Sequence, residues 1–136
     1  MRVMFLTTAA ALALILLPGA SAAPFDGSQP IVCATLEVLE CEAGFKCEEE
    51  TVDSVDAPQF LQISVQDKTV VGTRPSGAPV NATIELVRHA EQLMFLQGVE
   101  KMRGWSMAIN ETKGKMTLAI HDDASSYVIF GACTPR

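Results

Sequence analysis

Basic charge is scarce in this chain. It carries 10 Lys and Arg against 16 Asp and Glu. An acidic domain repels phosphate backbones, so no nucleic-acid partner is expected. Anionic membrane surfaces are disfavoured by the same repulsion. Aromatic residues are also few, at 6% with one Trp and one Tyr. A membrane-spanning barrel needs aromatic girdles and outward apolar strands of about ten residues. The strands legible here are shorter, and stable membrane insertion after processing is not expected. Catalytic signatures are missing as well. No G-x-S-x-G, no H-E-x-x-H and no glycine-rich phosphate loop occurs. The two histidines, His89 and His121, fall at a hairpin tip and a strand end in the strand pattern. With no nucleophile–base pair visible, the chain reads as non-enzymatic and free of cofactors.

Metal chemistry has little support. His121-Asp122-Asp123 are adjacent, so their side chains point in different directions and do not converge on one ion. The acidic run Glu48-Glu49-Glu50, with Asp53 and Asp56, lacks the alternating order of a calcium loop. It reads as a solvated loop or as a docking surface for a basic partner.

Long apolar runs are confined to the start of the chain. Arg2 is followed by apolar Ala9 to Leu17, then Pro18-Gly19 and the small residues Ala20-Ser21-Ala22-Ala23. A charged start, a short apolar core and an A-x-A site describe a secretory signal peptide over residues 1–23. The run is shorter than the about 20 residues that span a bilayer. No cysteine lies at the cleavage point, which argues against a lipid anchor. Cleavage after Ala22 or Ala23 removes Arg2 alone among the charges, leaving 9 basic against 16 acidic residues, a net charge of −7. Residues 24–136 are then expected to form a single domain, exported to the periplasm or secreted.

By compartment, export predicts that the four cysteines form two disulfides. A zinc site or a redox pair would call for close C-x-x-C spacing, and none exists. Ile31 to Cys41 (IVCATLEVLEC) reads as a strand, with Val32, Ala34, Leu36 and Val38 on one parity and Cys33 and Cys41 on the other. Extended, Cys33 and Cys41 would lie about 26 Å apart, beyond the roughly 7 Å that a disulfide allows. Two pairings remain: Cys33–Cys133 with Cys41–Cys47, or Cys33–Cys47 with Cys41–Cys133. Gly44 can turn the chain back and favours Cys41–Cys47.

From Phe60 onward, alternating segments are separated by turn signals. They are FLQISVQ, KTVVGT, ATIELVR, QLMFLQGV, WSMAIN, KMTLAIH and YVIFGAC. Short strands at this spacing predict an all-β fold, a sandwich or a barrel. With the first strand they make an eight-stranded antiparallel meander, which can close as an up-and-down barrel with no open edge. Closure would set the first strand beside the last, where Cys33 and Cys133 sit. Parity then asks Val128 and Phe130 to point inward, and Cys133 to point outward as Cys33 does. The expected interior also includes Leu36, Ile63, Val65, Ile84, Leu86 and Leu118. Trp105, Met107, Phe95 and Phe130 are the candidates to line a ligand pocket. Residues 42–58 form an acidic loop or a short helix. Two N-x-T sequons, at Asn81 and Asn110, fall at expected loops.

The pieces IVCATLEVLEC, RGWSMAI, GKMTLAI and the ending VIFGACTP resemble short exported bacterial proteins. That resemblance implies an envelope or secreted location and no activity. The strand pattern is also loosely similar to lipocalin-like barrels, although Gly104-Trp105 falls in the sixth strand and not the first. The expected role is binding of a small apolar ligand or an envelope protein partner. The alternative is an inhibitor or interaction module acting through the loops. For the exported protein, intact mass spectrometry should give a chain beginning at Ala23 or Pro24, about 4 Da lighter than its fully reduced form. A full-length or reduced mass would refute the export reading.

Overall fold

The computed structural model describes residues 24–136, and the proposed leader lies outside the described residues. Among the described residues there is no helix. Ten strands form one antiparallel sheet: β1 (Ile31–Glu42), β2 (Glu48–Glu50), β3 (Phe60–Ser64), β4 (Thr69–Thr73), β5 (Pro79–Thr83), β6 (Leu86–Ala90), β7 (Leu93–Glu100), β8 (Arg103–Asn110), β9 (Lys115–His121) and β10 (Ser125–Pro135). The order is β5-β4-β3-β1-β10-β9-β8-β7-β6, with β2 attached to β1. β5 and β6 stand at opposite ends of this order, yet only Ile84-Glu85 separates them in the chain. The sheet must therefore curl until its edges meet. The result is a barrel-like meander whose expected fourth strand is broken in two at the seam. β5 ladders with β4 and β6 with β7.

The seam is held by backbone bonds and close contact. Ile84 N–H donates to Lys68 O at 2.9 Å and Glu85 N–H to Gln97 O at 2.8 Å. Gly98 lies against Thr83 O, where a Cβ would come within 2.3 Å of that oxygen. A side chain there would push the seam apart.

At the centre of the sheet β1 pairs with β10 along almost its whole length, from Ile31↔Pro135 to Glu42↔Ser125. Cys33 faces Cys133 in this ladder and is bonded to it, with Cα atoms 3.9 Å apart. Cys41 is bonded to Cys47 across the β1–β2 hairpin. The acidic 42–58 region is thus a disulfide-closed hairpin followed by a run of turns, without the short helix that was one of its two expected forms.

Parity differs from expectation in β1. A bulge at Leu36 shifts the register between Thr35 and Glu37. One extra residue flips every later side chain to the other face. Ile31, Cys33 and Thr35 point inward before the bulge and Val38 after it, while Leu36 is 70% exposed. The bulge falls where β1 exchanges its second partner, β3 below and β2 above. Across the ladder Ile129 is buried and Phe130 faces out, 39% exposed. Cys33 is fully buried and Cys133 partly so, on the inner face and not the expected outer one. Leu86 also turns outward, because the corner at Ile84-Glu85 intervenes between it and the buried Ile84. In β7, Met94 and Leu96 occupy the interior and Phe95 lies outside.

The core gathers Ile31, Val38, Ile63, Ile84, Met94, Leu96, Met107 and Ile109. Each such fully buried side chain contributes about 1.5–3 kcal/mol of transfer free energy. The two disulfides differ in leverage, with separations of 100 and 6 residues. In the chain-entropy account a loop of about 100 residues is worth roughly 4.7 kcal/mol, and one of about seven roughly 2.4 kcal/mol. Replacing Cys33 and Cys133 together by Ala should therefore lower the urea midpoint far more than replacing Cys41 and Cys47. Equal losses would contradict this ranking.

Candidate functional site

The two ends of the curled sheet are built differently. One end carries the β3–β4, β6–β7 and β8–β9 turns. Here the segment before β1 acts as a plug. Phe25 is buried, its N–H donates to Glu111 O at 3.1 Å, and its ring lies against Gly114. Gly114 has φ 66°, and a Cβ there would meet the Phe25 ring at 2.7 Å. Glycine is required both by the backbone and by the ring. Gly27 fills the neighbouring space beside Val65 and Met94.

The opposite end is gathered by the registers Glu42↔Ser125, Ser126↔His121, Gly104↔His121 and Glu100↔Arg103. Beneath it lies a cavity of about 90 Å³. Leu61, Val70, Val80 and Ala82 line it from β3–β5, and Trp105, Met107, Leu118 and Ile129 from β8–β10. One wall comes from the strap between β2 and β3, through Val55, Ala57 and Pro58. The volume exceeds the roughly 10–15 Å³ that one water needs, so the space admits a larger group.

The strap is tied at several points. Thr35, on the inner face with Ile31 and Cys33, donates its hydroxyl to Pro58 O at 2.9 Å and its N–H to Gln59 O at 2.9 Å. Gln59 Nε2 returns a bond to Thr35 O at 2.8 Å. Within the strap, Thr51 and Ser54 exchange backbone and hydroxyl bonds, and Ala57 N–H donates to Val52 O at 2.8 Å. Asp56 takes the left-handed φ of 50°. Its carboxylate accepts from Ser76 N–H at 2.9 Å and Ser76 Oγ at 2.8 Å, and these donors hold its pKa below the usual value. Arg74 Nη1 donates to Asp56 O at 2.8 Å.

Polar side chains at the cavity are Thr35, Arg74, Glu100, Arg103 and Tyr127. Arg103 Nε meets Asp122 at 3.3 Å, and its guanidinium lies 5.5 Å from the centroid of the Tyr127 ring. Tyr127 donates its hydroxyl to Glu40 at 2.6 Å. That bond raises the Tyr127 pKa, because it favours the neutral phenol. Asp122 accepts from Ala124 and Ser125 N–H at 2.9 and 2.8 Å, which lowers its pKa. Trp105 is buried, with its indole N–H unpartnered. The ring edge rests on Gly98, where a Cβ would meet it at 2.8 Å.

Of the candidates for a pocket lining, Trp105 and Met107 lie at the cavity. Phe95 and Phe130 lie on the outer face, on the far side of the sheet from it. The runs LMFL and YVIF are apolar at both parities, so alternation alone cannot orient them. Cys33–Cys133 stands away from the cavity, whereas Cys41–Cys47 closes the hairpin that leads into the strap. Asp122 is engaged by Arg103 and the β9–β10 turn, and no group of three or more metal-ligating side chains converges among the described residues. His89 lies within β6, near the plugged end, with Nδ1 2.5 Å from Glu111. The tip beyond it is Glu91-Gln92. Neither sequon asparagine is in a loop: Asn81 is exposed in β5, and Asn110 ends β8, its side-chain oxygen accepting from Thr112 and Lys113. Arg74, Arg103 and Tyr127 carry no sequence signal that would gather them, since three separate elements bring them together.

Comparison with protein families, curated proteins and solved structures finds no match to this chain. The two disulfides are compatible with an oxidising extracellular or periplasmic setting. No helix among the described residues is long and apolar enough to cross a membrane.

The loop carboxylates make the mouth acid-sensitive. Asp56 and Asp122 have folded pKa values below that of an unfolded aspartate, about 3.9. Their stabilising contribution is complete above the unfolded value and is lost as pH falls through the depressed folded values. Urea midpoints should stay level down to about pH 5 and fall below about pH 4. Asp56→Asn should shallow that fall. An unchanged slope would show that the Ser76 bonds do not contribute.

Proposed function

We propose that this protein is an exported, non-enzymatic binding protein that takes the apolar part of a small ligand into the cavity beneath the strap. The observation that carries the reading is the unfilled, mostly apolar space between Trp105, Met107 and the strap. Small barrels of this size are commonly filled by their own side chains. Here small residues such as Ala57 and Ala82 leave a space, and hydrogen bonds hold the strap in place as one of its walls. A rigid, largely preformed apolar pocket with a few polar groups is the usual form of a small-molecule site. The resemblance to exported bacterial proteins and the two disulfides favour an envelope or secreted setting.

A second reading, an inhibitor or interaction module, is favoured by Phe45 and Met102. They are 78% and 91% exposed and sit at hairpin tips on the cavity end, with acidic Glu48–Glu50 following Phe45. Under that reading, Phe45→Ser and Met102→Ser remove partner binding and filling the cavity does not.

Trp105 is the sole tryptophan, so its emission reports on the cavity without a label. Titration with short linear alcohols should change that emission saturably. Ala82→Leu, which fills the space, should weaken binding by about tenfold or more, a difference of roughly 1.4 kcal/mol. Phe130→Ala on the outer face should leave binding unchanged. No saturable change with any alcohol, together with no heat of binding, would reject the cavity as a ligand site.

A further inference from the structure

The ionisable side chains at the cavity have the opposite balance to the chain as a whole. The sequence has a net charge of −6, yet two arginines and one glutamate line this space. Tyr127 stays neutral, since its hydrogen bond to Glu40 favours the phenol. Asp122 compensates Arg103 from outside the lining, through Nε, and is itself held by two backbone N–H groups of the β9–β10 turn. The terminal nitrogens of Arg103 make no hydrogen bond among the described residues. Arg74 is half-buried and donates from Nη1 to a backbone carbonyl, and no carboxylate lies within ion-pair distance of it among the described residues. The nearby Asp56 carboxylate is occupied by Ser76.

Two guanidinium groups with unused donors therefore reach one apolar cavity. Arg74 follows β4, and Arg103 opens β8. A planar guanidinium matches a carboxylate through paired hydrogen bonds, and partial removal from water strengthens that match. We infer that the ligand is a short-chain amphiphile with one carboxylate head, its tail against Trp105 and Met107 and its head at Arg74 and Arg103. This rests on the cavity reading above. The volume of about 90 Å³ limits the tail to a short chain, for which a hexyl group is the probe. Glu100 faces the same space and opposes the head, so removing its charge strengthens binding.

The test compares hexanoate, hexanol and hexylammonium on the disulfide-bonded mature protein by calorimetry and Trp105 emission. Hexanoate should bind about tenfold or more tighter than hexanol, an advantage of about 1.4 kcal/mol that weakens with salt. Arg103→Gln, and separately Arg74→Gln, should remove most of that advantage while hexanol binding persists, which also shows that each variant is folded. Glu100→Gln should tighten hexanoate. Equal binding of hexanol and hexanoate would overturn the head-group inference and leave the cavity reading standing. Tightest binding of hexylammonium, lost in Glu100→Gln, would overturn it in favour of a cationic head. Failure of all three compounds to bind would remove both the inference and the reading beneath it.

Discussion

The β1–β10 ladder is the interaction on which the rest of the fold depends. It joins the two ends of the described chain at the centre of the sheet, from Ile31↔Pro135 to Glu42↔Ser125. β3, β4 and β5 extend from one side of it, and β9, β8, β7 and β6 from the other. Those wings can meet at Ile84-Glu85 only because the ladder fixes where each begins. A contact between residues so far apart in sequence carries a large loop-closure cost. The Cys33–Cys133 bond lowers that cost by constraining the unfolded chain.

The same ladder accounts for the site. Thr35, inward with Ile31 and Cys33 just before the bulge at Leu36, anchors the strap at Pro58 and Gln59. The bulge also lets β1 change partners, from β3 to the short β2, so the strap between them passes over the end of the sheet. Phe25 plugs the opposite end. The molecule is consequently plugged at one end, and at the other a tied segment forms one wall of the cavity.

Much of this was legible from residue pattern. Alternation in FLQIS, WSMAI and KMTLAI marks strands with Leu61, Ile63, Trp105, Met107, Met116 and Leu118 on the inner face, and those side chains are buried. The split fourth strand and β2 were not legible. A corner at Ile84-Glu85 leaves no compositional mark, and three consecutive glutamates do not alternate. Orientation failed where alternation carries no information. Leu36, Leu86, Phe95 and Phe130 stand in or beside apolar runs, next to a bulge, a corner or an equally apolar neighbour. The arginines of the cavity were invisible for another reason: a charged residue at a strand end or in a turn is ordinary until the fold shows what it faces.

The sequence by itself determined the all-β class, the run of short antiparallel strands and the two cysteine pairings that geometry allows. These follow from local rules, the two-residue period of a strand and the reach of a disulfide. Tertiary structure alone decided which face of β1 and β10 is inner, where the sheet closes, and that Arg74, Arg103, Tyr127 and the strap meet around one cavity. Those outcomes depend on a single inserted residue and on contacts between distant segments. Neither changes the local hydrophobic pattern, so neither is written in it.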